Sequence, residues 1–262
     1  MPEGHTIRRL ARTHARHYVG HEVAVSSPQG RFERGAELVD GREMRATDAH
    51  GKHLFHVYAD DLVVHVHLGL YGKFTPHTPP VTEPKGQVRM RIAGPEHWTD
   101  LRGAITCEVL SESEVDTLRA RLGPDPLRTD TDPDAAWARV SRSKAPLATL
   151  LMDQSVIAGV GNVYRAEVLF RHGLDPLLPG RELGRERWEA VWGDLVVLLA
   201  DGVRRGSIDT VAKEHKRTRG KAVYVYRRTG QPCLVCGTEV ARRTHAARNL
   251  FWCPSCQAGY DG

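Results

Sequence analysis

At 262 residues, 40% hydrophobic and 26% charged, the chain can bury a real core but is long for a single one, so two domains are expected and a disordered polymer is excluded. Its net charge of +5 is unevenly spread: residues 203–262 hold 12 Lys/Arg against 4 Asp/Glu, a clustering that suits either an anionic phosphate backbone or a solvated basic face. No run approaches the roughly 18 apolar residues of a membrane span, and the start Met-Pro-Glu-Gly-His-Thr lacks the apolar core of a signal peptide, so a cytoplasmic, nucleoid-associated location is expected.

From the N-terminus, Ile7, Leu10, Ala11 and Tyr18 recur at helical spacing, which predicts an amphipathic helix over 4–19 and a rigidly placed start. From 54 to 92 the period changes to two. Leu62, Val64, Val66 and Leu68 alternate with Val63, His65 and His67, and Val88, Met90 and Ile92 alternate with Arg89 and Arg91, as in half-buried antiparallel strands. Asp60-Asp61 and Gly94-Pro95 supply turns, and the pattern fits a sandwich or barrel of hairpins. After a helical stretch at 114–122, the two prolines of Leu122-Gly-Pro-Asp-Pro-Leu127 mark a linker. Beyond it helices are predicted over 134–142, behind an Asp132-Pro133 start, and over 147–154, 163–172 and 185–204, the last ending near Gly206.

Cys233-x2-Cys236 and Cys253-x2-Cys256, sixteen residues apart, have the spacing of a four-cysteine zinc ribbon, and thiols in a reducing compartment favour metal over disulfides. Tyr224-Val-Tyr226 and Phe251-Trp252 read as flanking strands. Cys107, alone on a strand-like segment, reads as a small buried hydrophobe. The run Gln154-Ser-Val-Ile-Ala-Gly-Val-Gly-Asn162 places two glycines in a turn between helices, where amides at the next helix start and the Asn162 side chain would form a phosphate site. His14, His17 and His21 lie on a basic helix without a neighbouring carboxylate or cysteine and read as solvated. His65 and His67, with His53 or His56, read as polar lining rather than metal ligands.

The run continuing as Val163-Tyr-Arg-Ala-Glu-Val-Leu-Phe170 resembles the helix-two-turns-helix of the formamidopyrimidine-DNA glycosylase and endonuclease VIII family. The likeness extends to Pro2-Glu3-Gly4, to Gly51-Lys52 before a strand, to the Leu-Gly-Pro-Asp-Pro-Leu linker and to the finger, where Arg248 stands five residues before Cys253. It is strongest for the endonuclease VIII-like branch, through the Pro-Glu-Gly start and Leu70-Tyr71-Gly72. Residues 207–223 lack a counterpart of the lesion-capping loop of the formamidopyrimidine branch.

The resemblance implies an α+β fold: an N-terminal β-sandwich with flanking helices at 1–122, a linker at 123–131, a helical domain at 132–222 and a zinc-finger hairpin at 223–262, with DNA in a cleft between the domains. It implies a monomeric enzyme acting on damaged double-stranded DNA, with one structural zinc on Cys233, Cys236, Cys253 and Cys256 and no catalytic metal or organic cofactor. Once Met1 is removed, the secondary amine of Pro2 would attack C1' of the damaged nucleotide. Glu3 would protonate the ring oxygen and move protons during elimination. Lys52, Asn162 and Arg248 would hold phosphates, and Leu70 and Tyr71 would fill the gap left by the flipped base. Two departures stand out: Gly69, where the wedge usually begins with glutamine, and His5-Thr6, where proline and glutamate are common. The expected activity is excision of oxidised pyrimidines with β,δ-elimination. A purine-directed glycosylase and a non-catalytic zinc-ribbon DNA-binding protein are the alternatives, and intact Pro2, Glu3 and Lys52 speak against the second.

Overall fold

The computed structural model describes residues 2–216 and 222–258. Met1 and the middle of the 207–223 stretch, residues 217–221, lie outside the described residues. The chain forms two compact units, Met1–Arg121 and Leu122–Gly262.

The first unit opens with helix α1 (Gly4–Tyr18), which turns Ile7, Ala11, His14 and Tyr18 into the core, a stripe recurring every third or fourth residue. Two four-stranded antiparallel sheets follow. One has the order β1 (Ala24–Ser26), β6 (Met90–Ala93), β7 (Trp98–Arg102), β5 (Lys73–His77); the other has β2 (Met44–His50), β3 (His53–Tyr58), β4 (Val63–His67), β8 (Thr106–Leu110). Residues from both sheets and α1 meet in one core: Val25, Leu54, Val64, Val66, Met90, Ile92, Leu101 and Cys107 are all buried, as expected of Cys107. Pro76, which cannot donate to a ladder, sits in the edge strand β5. A helix that the sequence pattern did not announce, α2 (Glu33–Val39), packs beside β1.

The strands at 54–92 are less half-buried than their alternation suggests. The outer face of the second sheet is covered by α3 (Glu112–Ala120), where Val115 meets Phe55 and Val63. In the other sheet Arg91, predicted on a polar face, is 7% exposed because Asp100 takes both its Nε (2.7 Å) and Nη2 (3.0 Å).

In the second unit the segment after Arg121 is tied down. Gly123 donates to Gln154 O (2.8 Å) and Pro124 O accepts from Ala158 N (2.9 Å), and a Cβ at Gly123 would fall 2.5 Å from Ser155 O. Helix α4 (Pro133–Val140) starts as predicted, with the Asp132 carboxylate capping Asp134 N and proline in its first turn. The predicted 147–154 helix is shorter, α5 (Leu147–Leu150), and leads through two turns to α6 (Asn162–Arg171). The long α7 (Arg185–Arg205) ends at Gly206, whose φ of +70° is the left-handed cap that glycine adopts without cost. A hairpin of β9 (Ala241–His245) and β10 (Arg248–Trp252) follows. Tyr224–Tyr226 is not the expected strand but a bend, because three successive amides turn to a single side chain described below. No helix among the described residues is long and apolar enough to cross a membrane.

Candidate active site and metal centre

In the first unit Pro2 and Glu3 immediately precede α1. Glu3 is the N-cap residue, its carbonyl accepting from Thr6 N (2.9 Å) and Ile7 N (3.3 Å), and the residue is fully buried. Pro2 is half-buried and lines a cavity of about 360 Å³ together with Thr6, Leu10, Leu68, Leu70, Lys73 and Phe74. Thus Pro2 and Leu70, 68 residues apart in sequence, share one concavity. His5, one of the departures from the family pattern, is buried and shares a 3.2 Å hydrogen bond with the Thr6 hydroxyl; burial pulls its imidazole down to a pKa of about 4.

Lys52 occupies the two-residue turn between β2 and β3, where His50 pairs with His53 and Gly51 has φ +57°. The strand register then sorts the histidines by face. His53 and His65 face outwards with Phe55: His65 Nδ1 donates to the Glu108 carboxylate (3.0 Å), so its Nε2 accepts from His53 Nδ1 (2.9 Å). His67 joins them, edge-on to His53 with ring centroids 4.8 Å apart. His56 does not belong to that group. It points to the opposite face, where its Nε2 shares a 2.9 Å hydrogen bond with His14 Nδ1. His14 is therefore not solvated but 3% exposed on the buried stripe of α1, whereas His17 is half-buried and His21 exposed. Burial first, and then the neighbouring His56, pushes His14 well below the ordinary histidine range; burial alone takes His56 to about 3. No grouping of these histidines with carboxylates forms a metal-holding set among the described residues.

The wedge candidates Leu70 and Tyr71 are 42% and 86% exposed in the β4–β5 turn, which Gly72 closes by donating to Leu68 O (3.0 Å).

In the second unit the Gln154–Asn162 turn is knit by Gln154, whose amide donates to Met152 O and Val160 O while its oxygen accepts from Gly159 N. Asn162 opens α6 and donates to Asn249 O (3.0 Å), placing it beside Arg248 on the hairpin. Arg248 is exposed and directly follows the Ala246-Ala247 turn, both of whose residues have positive φ (46° and 58°), a conformation that suits Gly or Asn better than Ala.

Two residues of α6 were not singled out in the sequence. Arg165, 1% exposed, donates to Ala148 O (3.2 Å), to Asn249 O (3.1 Å) and to the Asn162 side chain. Glu167, fully buried, accepts from the amides of Tyr224 (2.6 Å), Val225 (2.9 Å) and Tyr226 (2.8 Å) and from the Thr210 hydroxyl. The signal was a pair of opposite charges two residues apart within the apolar run Val163–Phe170.

The four cysteines converge, their sulfurs all within 4.8 Å of one another. Cys233 and Cys256 are 3.9 Å apart and Cys236 and Cys253 3.5 Å, close to the edge of roughly 3.8 Å implied by a tetrahedron with zinc–sulfur bonds of about 2.3 Å.

Family models agree with this division. The formamidopyrimidine-DNA glycosylase N-terminal domain matches residues 1–107, its H2TH domain 122–213, and the zinc finger found in FPG and IleRS 230–259. The chain is 53% identical to endonuclease 8 1 of Mycobacterium tuberculosis, over 98% of the chain and all of that relative. It is 32% identical to the formamidopyrimidine-DNA glycosylase of Thermus thermophilus, over 98% and 97%. Among solved structures, the Lactococcus lactis Fpg in complex with abasic-site DNA superposes with a TM-score of 0.82 at 21% identity, covering 98% of this chain and 100% of that one. With this architecture and these relatives, the chain belongs to the formamidopyrimidine-DNA glycosylase and endonuclease VIII family, in its endonuclease VIII-like branch.

Proposed function

We propose that the protein is a bifunctional DNA glycosylase and abasic-site lyase of base excision repair, acting on oxidised pyrimidines in duplex DNA. The observation that carries this reading is Pro2 lining a cavity of about 360 Å³, next in the chain to the fully buried Glu3. Removal of Met1 frees the Pro2 amine, and a free α-amino group, which titrates near pH 8, is partly neutral at physiological pH. Its nitrogen attacks C1' and the bond to the base breaks. Glu3 protonates the ring oxygen, and the opened sugar becomes an iminium on Pro2. Loss of a C2' proton expels the 3' phosphate, a second elimination expels the 5' phosphate, and hydrolysis of the iminium returns the amine.

Lys52, Asn162 and Arg248 bind phosphates, and Leu70 and Tyr71 fill the vacated stack. The four cysteines suit one structural zinc, which fixes the hairpin that carries Arg248. Preference for pyrimidines is supported by the likeness of Pro2-Glu3-Gly4 and Leu70-Tyr71-Gly72 to the endonuclease VIII-like branch, with which the 53% identity to an endonuclease 8 agrees.

Borohydride added during turnover should reduce the iminium and leave a covalent protein–DNA adduct mapping to Pro2. Pro2→Gly keeps an amine and retains some cleavage of abasic sites. Glu3→Gln lowers base excision on the order of a hundredfold, and cleavage of a ready-made abasic site less. An adduct on Lys52, or full excision by protein acetylated at Pro2, refutes the mechanism. A panel of single-lesion duplexes tests the pyrimidine preference.

A further inference from the structure

Among the described side chains that line the cavity of Pro2, one is a cation: Lys73, the first residue of the edge strand β5. The rest of that wall is apolar apart from the Thr6 hydroxyl. Lys73 is exposed, and its ammonium makes no hydrogen bond or ion pair among the described residues. Its cross-strand partner in β7 is Arg102, a second cation, whose guanidinium donates to the Asp100 carboxylate (2.9 Å) and to Lys85 O (3.1 Å). Asp100 is already shared between Arg91 and Arg102. Two like charges thus stand opposite each other on the ladder, which disfavours the pair, and the fold supplies Lys73 with no counter-ion. Nothing in the packing of this sheet accounts for a lysine here, whereas an anion brought to the cavity from outside would.

We infer that Lys73 is a further catalytic residue, which acts on strand cleavage and not on base excision by stabilising a phosphate as it leaves the sugar held on Pro2. The inference rests on the reading of Pro2 as the nucleophile. Both flanking phosphates hang from the sugar whose C1' Pro2 attacks, so a flexible ammonium in the same cavity can reach one of them. In the first elimination the C2' proton passes to the Glu3 carboxylate, its electron pair forms the C2'=C3' bond, and the C3'–O bond breaks with its pair left on the phosphate oxygen. In the second, the C4' proton is lost and the C5'–O bond breaks in the same way. Each step turns a singly charged phosphodiester into a monoester that carries nearly two charges. A cation beside that oxygen is worth more in the transition state than before it, which is what accelerates a step. Formation of the iminium places no new charge on either phosphate, so base excision gains nothing from Lys73.

The test is a single-turnover experiment with enzyme in saturating excess over a duplex that carries one oxidised pyrimidine, so that differences in DNA affinity drop out. Released base and broken strand are measured in the same samples. Lys73→Met should release base at the wild-type rate and cut the strand more slowly, on the order of tenfold, a smaller loss than in a water-excluded site because Lys73 is exposed. Borohydride should then trap more adduct on uncut or half-cut DNA than in the wild type, because the iminium waits for its elimination; a merely structural role would lower trapping instead. Lys73→Arg keeps the cation and should restore cleavage to within about threefold. The exposed position lets both variants keep the wild-type melting temperature. If the wild type forms no adduct at Pro2, the reading of Pro2 as nucleophile fails. If it does, and Lys73→Met cuts at the wild-type rate or loses excision and cleavage equally, the function stands and the role of Lys73 is refuted.

Discussion

Replacing Glu167 by glutamine isolates the joint between α6 and the finger. The carboxylate is fully buried and takes four hydrogen bonds, Oε1 from the amides of Val225 and Tyr226, Oε2 from the amide of Tyr224 and the Thr210 hydroxyl. A glutamine oxygen in the Oε1 position keeps two of the amides, as neutral bonds about half as strong. Its NH2 group then faces the Tyr224 amide, donor against donor, while the Thr210 hydroxyl can turn round to accept. One orphaned buried donor costs about 1–3 kcal/mol, and the two weakened bonds add about 1 kcal/mol or more. A loss near 3 kcal/mol follows, which at about 2–4 °C per kcal/mol lowers the melting midpoint by roughly 6–12 °C. Differential scanning calorimetry reads it directly, and hydrogen exchange should show the amides of residues 224–226 exposed first. A Glu167→Gln protein melting within about 1 °C of wild type would show that the three amides are satisfied without the charge and would refute its role at this joint.

Removing metal by a chelator, or Cys236→Ala, should unfold the hairpin and abolish protection of the β9–β10 amides, because metal binding supplies the folding energy of so small an element; freshly purified reduced protein without zinc would overturn this. Acid should weaken the first unit. His14 and His56 are held neutral in the folded state and titrate near 6.5 when unfolded, so their contribution is intact above about pH 7 and falls below pH 6.5 by about 1.4 kcal/mol per pH unit for each histidine that must take up a proton. His14→Leu combined with His56→Leu should flatten that slope, as measured by urea denaturation between pH 7 and 4. Arg248→Ala, on the proposed phosphate contact, should weaken binding to damaged and undamaged duplexes alike and reduce the salt slope by about one unit, read by fluorescence anisotropy; an unchanged slope removes the contact.

What could be read in the sequence was what local chemistry dictates. The Asp132-Pro133 start, the Gly206 stop and the paired cysteine knuckles each follow from the covalent nature of one or two residues, and each stands where it was expected. Three of the departures, at His14, Arg91 and Tyr224–Tyr226, share one cause, a buried polar group whose partner lies on another element. His14 lies on the Ile7–Ala11–Tyr18 stripe, so its burial was legible from spacing; its partner His56, 42 residues on, was not. Arg91 looked like the solvent-facing member of an alternating strand until Asp100, on the neighbouring strand, neutralised it. Tyr224–Tyr226 has the aromatic and β-branched composition of a strand, yet Glu167, 57 residues earlier, collects its amides and bends it. Glu167 and Arg165 sit two residues apart on α6 and serve different ends: Glu167 holds the entry to the finger, and Arg165, with Asn162, holds the backbone of Asn249 beside Arg248. A helix that carries charges into a core must meet fixed partners there, because an unpaired buried charge costs several kcal/mol. α6 is therefore the rigid element to which the entry and the hairpin of the finger are both referred, and the position of Arg248 is set as much by a helix some eighty residues upstream as by the cysteines beside it.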